Sequence, residues 1–207
     1  MARMKKAINY INDLRLSNEE TRRALADLLL FHYEKWAKTL SLKDFLDFNN
    51  LIMKNKNEIG VAQFFGKFRA YAFEEYVYRL LKERVCIDQP LELFWGEKCP
   101  VWSSDGKSYS LEFDISIGRK NEGFVEPLMV FDAKVELDSA RLKTALASFM
   151  MLKHWKPETK CVLVYVTREL EETLLELAKN WIEAIFQFSL ENDETEAFIG
   201  YVAGCLC

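Results

Sequence analysis

The run KCVLVYVT at residues 160–167 sets the terms for any fold this chain can adopt. A short, almost unbroken apolar run rich in β-branched residues has the character of a strand covered on both faces, as strands are in parallel sheets. The flanking segments supply the covers. Residues 138–155 carry Leu142, Ala145, Leu146, Phe149 and Leu152 on one side of a helix, and residues 169–188 read as another helix. Residues 85–137 change period. Strand-like stretches, clearest at 109–117 and 128–137, are broken by Gly96, Pro100, SSDG at 103–106, Gly118 and NEG at 121–123. Residues 197–202 predict a last short strand. Helix, strands, helix, strand, helix in this order predicts an α/β sheet covered by helices.

The first sixty residues carry no strand signal and read as a helical N-terminal extension, so the expected division is 1–60 and 61–207. Ser17 and Glu20 have capping-box spacing before a helix bearing Leu25, Leu28, Leu29, Trp36 and Leu40. A second helix start is expected at Ser41. Asn49, Asn50, Asn55 and Asn57 then loosen the pattern before the helix at 61–84.

At 50% hydrophobic and 29% charged residues, the composition is that of a globular protein. No apolar run reaches the roughly 18 residues of a membrane span. The basic N-terminus lacks the apolar centre of a secretory signal, so an intracellular, cytoplasmic protein is expected. The net charge of −4 hides an asymmetry: residues 1–84 hold 16 Lys/Arg against 11 Asp/Glu, and residues 85–207 hold 12 against 21. Such a split allows a polyanion-binding face on an acidic protein. Cys86, Cys99, Cys161, Cys205 and Cys207 include no C-x-x-C pair, so buried or tail thiols are expected rather than a metal site. His32 and His154 are isolated, and no Ser/His/Asp set or Gly-rich phosphate loop is present.

The chemistry concentrates in two strands and a helix. In LEFDISIG, residues 111–118, alternation puts Glu112, Asp114 and Ser116 on one face. In LMVFDAKVEL, residues 128–137, Val130, Asp132, Lys134 and Glu136 share a face, with Asp132 and Lys134 about 6.5 Å apart along the strand. A carboxylate and a lysine inside an apolar strand are costly unless paired or metal-bound. The short, turn-rich connection predicts an antiparallel hairpin that sets Asp114 beside Asp132 and Lys134. On the helix over 66–84, a helical wheel puts Phe73, Val77, Leu80 and Leu81 in the buried stripe, Glu74 on its edge and Glu75 on the solvent side.

An acid on a helix, an acid on one strand and acid-x-lysine on the next resemble the PD-(D/E)XK nuclease superfamily. The resemblance covers about residues 64–167 and rests on Phe73-Glu74 with Val77, Leu80 and Leu81, on Asp114, and on Asp132-Ala133-Lys134. A short chain with a helical N-terminal block also looks like small nucleases of archaeal spindle-shaped viruses, which would place it in the host cytoplasm. The helix after Lys134 lacks the Gln-centred motif of RecB-like members, and the cysteines do not match iron–sulfur variants. The resemblance implies a restriction-endonuclease-like mixed β-sheet flanked by helices, and a Mg2+- or Mn2+-dependent deoxyribonuclease. In that reading Asp114, Asp132 and the Ala133 carbonyl are metal ligands, Glu74 acts directly or through water, and Lys134 orients water and stabilises the phosphate. Two carboxylates suit a hard cation that keeps several waters.

The implied partner is DNA, held through phosphate by cations such as Lys67, Arg69, Arg119 and Lys120. Further candidates are Arg3, Lys5, Lys6, Arg22, Arg23, Lys54 and Lys56. Cutting both strands implies a homodimer, for which Trp36, Phe45 and Phe48 offer an apolar surface, although core packing explains them more simply. The alternative is a catalytically inactive nucleic-acid-binding or assembly protein on the same fold.

Overall fold

A computed structural model describes residues 6–206; Arg3, Lys5 and Cys207 lie outside the described residues. The chain divides into two compact units, residues 1–83 with 189–191, and residues 84–188 with 192–207.

The first unit is helical: α1 (Ala7–Arg15), α2 (Glu20–Thr39), α3 (Leu42–Lys54), α4 (Lys56–Ile59) and α5 (Ala62–Arg84), whose last residue belongs to the second unit. Ser41 caps α3 by accepting from the Asp44 N–H, as its sequence position predicts. The capping box at α2 does not form. Glu19 occupies the N-cap, and the Ser17 hydroxyl accepts from the Glu19 N–H, one residue too early for the box.

Aromatic rings fill the centre of this unit. Phe45 stacks on Tyr76 at 4.6 Å between ring centroids, and Trp36 meets Phe45 edge-on at 5.8 Å. Trp36, Phe45 and Phe48 have no exposed surface, so they are core residues and supply no dimer face.

Glu75 is also interior, at 1% exposure, where the wheel put it in solvent. Its carboxylate accepts from the Ala7 N–H at the start of α1, from the Tyr33 hydroxyl and from Arg79. Burial, followed by the Glu75 charge, pushes the Tyr33 phenol well above its usual range. These partners replace the water that the carboxylate loses. Glu75→Gln keeps the shape but removes the charge facing Arg79. It should lower folding stability by about 2–3 kcal/mol in denaturant titration; an unchanged midpoint would show that the cluster is not stabilising.

The second unit is built on a five-stranded mixed sheet ordered β1-β4-β5-β6-β7, with β2 and β3 as a separate two-stranded ribbon. The strands are β1 (Glu92–Trp95), β2 (Lys98–Ser104), β3 (Lys107–Glu112), β4 (Ile115–Asn121), β5 (Phe124–Asp138), β6 (Lys160–Glu169) and β7 (Ala184–Gln187). β1, β4 and β5 pair antiparallel; β5, β6 and β7 pair parallel. The run KCVLVYVT opens β6, and its residues 161–166 are buried on both faces between β5 and β7.

Helix α6 (Ser139–Trp155), capped by Asp138, packs Leu142, Ala145, Phe149 and Leu152 into a core shared with Val130, Leu163 and Cys99. Helix α8 (Thr195–Leu206) covers the opposite face through Phe198, which meets Phe131 and Phe186 edge-on. Two expectations change here. Residues 195–206 are helix rather than strand, and the helix expected over 169–188 is the short α7 (Glu172–Ala178) followed by β7. The four residues of β7, three of them apolar, gain a place by pairing with β6, a tertiary contact that local periodicity does not carry.

The β4–β5 hairpin turns through Glu122 and Gly123, both at positive φ, as a two-residue turn of matching twist requires. A register shift falls between Ile117 and Gly118, and a Cβ at Gly118 would lie 2.2 Å from the Glu126 carbonyl oxygen. Gly118→Ala drives side chain into backbone, which cannot swing aside. We expect a loss of about 2–3 kcal/mol in equilibrium unfolding; a wild-type midpoint would refute the close approach.

Candidate active site

The site forms where β4 parts from β5. The ladder between them begins at Ile115 and Phe131, whereas β5 continues to Asp138 paired only with β6. Asp114 lies in the bend between β3 and β4, not inside the single strand that its sequence predicts. The chain changes sheets at this corner. Asp114 is anchored at both ends: its carbonyl accepts from the Gly96 N–H at 2.9 Å, and its Oδ2 accepts from the Ala133 N–H at 2.9 Å. The carboxylate thus replaces the ladder partner that β5 lacks there.

Asp132 and Lys134 share one face of β5 with Val130, as period-two alternation predicts. Lys134 Nζ forms an ion pair with Asp132 Oδ1 and lies 3.4 Å from Asp114 Oδ2. The side chains of Asp114, Asp132 and Lys134 are 25%, 14% and 24% exposed, so the cluster is sheltered yet open to a small ligand. Asp132 is the strained member. Burial raises its pKa to about 6, against the lowering effect of Lys134 and with added repulsion from Asp114. Its Oδ1 has the lysine as charge partner but accepts no well-aligned hydrogen bond.

The parallel register sets Tyr165 beside Lys134 and Gln187 beside Tyr165, with the Tyr165 hydroxyl 3.3 Å from Gln187 Oε1. Sequence reading did not select these two, because only the pairing register brings them to the lysine. Glu136 lies further along the same face and is held near Arg141 at 3.7 Å.

Of the predicted site residues, Asp114, Asp132, Ala133 and Lys134 come together. Glu74 sits on α5 in the helical unit and is buried there at 7% exposure. Among the suggested phosphate-binding cations, Arg69 is spent internally: it is buried, donates to Asn49 at 3.2 Å and stacks over Phe65. Lys120 pairs with Glu97 at 3.0 Å, whereas Lys67 and Arg119 are exposed. Cys99 and Cys161 are buried thiols pushed by burial to about 12, consistent with an inert structural role.

Among the described residues no three His, Cys, Asp or Glu side chains gather at one point. The oxygen donors available to a hard cation are therefore the Asp114 and Asp132 carboxylates and the Ala133 carbonyl. Strand geometry turns that carbonyl toward the same open edge as the Ala133 N–H. Two carboxylates with waters completing the shell fit Mg2+ better than an ion that demands a full protein cage.

No protein-family model matches this chain, and no curated protein matches it. A solved structure of the native BbvCI A2B2 tetramer at low resolution is similar in fold. It has a TM-score of 0.53 and 11% sequence identity over 90% of this chain and 83% of that one. The fold is restriction-endonuclease-like: a mixed α/β sheet flanked by helices.

The Asp132 shift has a definite sign. Its folded pKa of about 6 exceeds the ordinary 3.8, so the folded state holds the proton more tightly and loses stability as pH rises from about 4 to 6. Without divalent ions, Asp132→Asn should be more stable than wild type above pH 7 by about 1–2 kcal/mol, with the gap closing near pH 4. Thermal unfolding across that range checks it; a variant less stable at neutral pH would contradict the assignment.

Proposed function

We propose that this chain is a metal-dependent nuclease that hydrolyses phosphodiester bonds of DNA. The observation that carries the reading is the meeting of Asp114, Asp132 and Lys134 at the opening between β4 and β5. Support comes from the fold, which is shared with the restriction endonuclease BbvCI. The asymmetric charge and the exposed Lys67 and Arg119 suit a phosphate backbone.

In this reading Asp114 and Asp132 hold the cation, with the Ala133 carbonyl as a further ligand. A bound Mg2+ or Mn2+ would supply Lewis-acid stabilisation of the phosphate and activate a water. Asp114 is fixed in aim by its bond to the Ala133 N–H. Lys134 moves its ammonium from Asp132 toward the phosphoryl oxygens, where its donors stabilise the charge that develops and orient the attacking water. The half-sheltered setting strengthens these interactions relative to bulk water. Two copies, each with one such site, would cut both strands of a duplex.

The test is incubation with supercoiled, linear, single-stranded and four-way-junction DNA in Mg2+, Mn2+ or EDTA. We expect cleavage that EDTA abolishes and that Asp132→Ala and Lys134→Ala each reduce by about 100-fold or more. Salt-sensitive DNA binding should persist in both variants. Cleavage that survives in Asp132→Ala would overturn the site. Binding without cleavage by the wild type would replace the reading with that of a DNA-binding protein.

A further inference from the structure

The corner from β5 into α6 carries an arginine that the function above does not use. Asp132, Lys134, Glu136 and Asp138 alternate onto one face of β5, and the row from Asp132 to Glu136 is about 13 Å long. Helix α6 folds back over this same face, with Leu142 and Phe149 packed into the core that Val130 shares. Arg141, in the first turn of α6, is thereby returned to the end of the row. Its Nη1 donates to the Glu136 carbonyl at 3.2 Å and to Asp138 Oδ2 at 2.8 Å, and lies 3.7 Å from Glu136 Oε2. Asp138 holds the main chain as well, since its Oδ1 accepts from the Arg141 N–H at 2.7 Å.

All the side-chain contacts pass through that one nitrogen. Nε and Nη2 donate to nothing among the described residues, and the side chain is 46% exposed. The anchored nitrogen fixes the plane of the guanidinium. The edge left over, Nε with Nη2, carries two parallel donors that match two oxygens of a phosphate. Because the corner already orders the side chain, little freedom remains to be lost when a ligand takes that edge.

Charge along the row points to the ligand. A DNA backbone laid here meets Asp132, Glu136 and Asp138, and is repelled unless cations stand on the same line. Lys134 stands within the row and Arg141 at its far end. Each strand of a duplex carries a phosphate about every 3.4 Å of axis. A strand whose reacting phosphate lies at Asp132 and Lys134 therefore brings a flanking phosphate to the arginine.

We propose that the Nε and Nη2 edge of Arg141 binds a DNA phosphate flanking the one that is cut. This rests on the nuclease reading for the place of the cut, and it names the group that holds the strand beside it.

DNA binding by the full chain in EDTA, followed by fluorescence anisotropy over a range of salt concentrations, tests the contact without cleavage. Arg141→Gln should bind a short duplex about tenfold more weakly than wild type, whatever its sequence. The slope of log affinity against log salt should fall by about 0.9, the value for one phosphate. Arg141→Lys can keep the pair with Asp138 but has no second edge, so it should bind as weakly as Arg141→Gln. Neutral methylphosphonates, placed one at a time along the strand, should locate the contact. At one position the change should cost wild type about tenfold and cost Arg141→Gln nothing further. An unchanged slope, full recovery by the lysine, or losses that add at every position would each overturn the proposal. If wild type binds but never cuts, these same responses to Arg141→Gln would uphold the contact while removing the nuclease reading. If wild type cuts and Arg141→Gln binds equally well, the contact alone falls. A wild type that does not bind DNA would overturn both.

Discussion

The second unit turns on a single main-chain group, the Ala133 N–H. β5 is paired on both sides up to Phe131, but β4 begins only at Ile115 and leaves the next N–H on that side without a ladder partner. An orphaned donor inside a sheet costs about 1–3 kcal/mol. The Asp114 carboxylate removes that cost, and in doing so it is drawn into the opening beside Asp132 and Lys134. The same parting of strands that creates the need for an acceptor creates the entrance to the site. Local structure and chemistry are therefore one feature: the bend that takes the chain from the β2–β3 ribbon into the main sheet also aims the acid.

Much of this was legible in residues alone. Alternation put Asp132 and Lys134 on one face. The Asn-Glu-Gly turn predicted the hairpin that carries Asp114 to them. The apolar run at 160–167 announced a doubly covered strand. Less legible was anything that depended on partners distant in sequence. Asp114 lies at a bend because β3 belongs to a different sheet, and no local pattern in LEFDISIG marks where one sheet ends. β7 and α8 exchanged their expected characters for the same reason. AIFQ becomes strand only beside β6, and the apolar tail becomes helix by setting Phe198 against Phe131 and Phe186. Tyr165 and Gln187 gained their place beside Lys134 from register, which a single strand does not encode.

The wheel for α5 failed at Glu75 for a related reason. A wheel assumes one buried stripe and one solvated side. Phe68, Ala72, Phe73, Glu74, Glu75, Tyr76 and Val77 are all buried, so this helix is enclosed over most of its circumference. An acid on such a helix must find partners. Glu75 finds three from three different elements: the start of α1, Tyr33 on α2 and Arg79 one turn along α5. Its cluster is closed, with the anion fully matched by donors. That separates it from the Asp132 cluster, where a carboxylate that is largely but not fully buried is left short of them.

This contrast bears on what the two clusters do. A buried ion pair is seldom the most stable solution for its volume; apolar residues of similar size often do as well or better. Glu75 at least fastens the beginning of α1 to α5. Asp132 fastens nothing: its own main chain is held by β6, its pKa is driven upward, and its lysine is divided between two acids. Valine and leucine occupy neighbouring positions of the same strands without difficulty, so the fold does not require charge at this point. A carboxylate whose charge is disfavoured by burial gains most from a ligand that brings positive charge, and a lysine shared between two carboxylates has most to offer a ligand that brings negative charge. A cation and a phosphate arriving together would satisfy both demands, which is why the proposed chemistry suits this cluster and not that of Glu75.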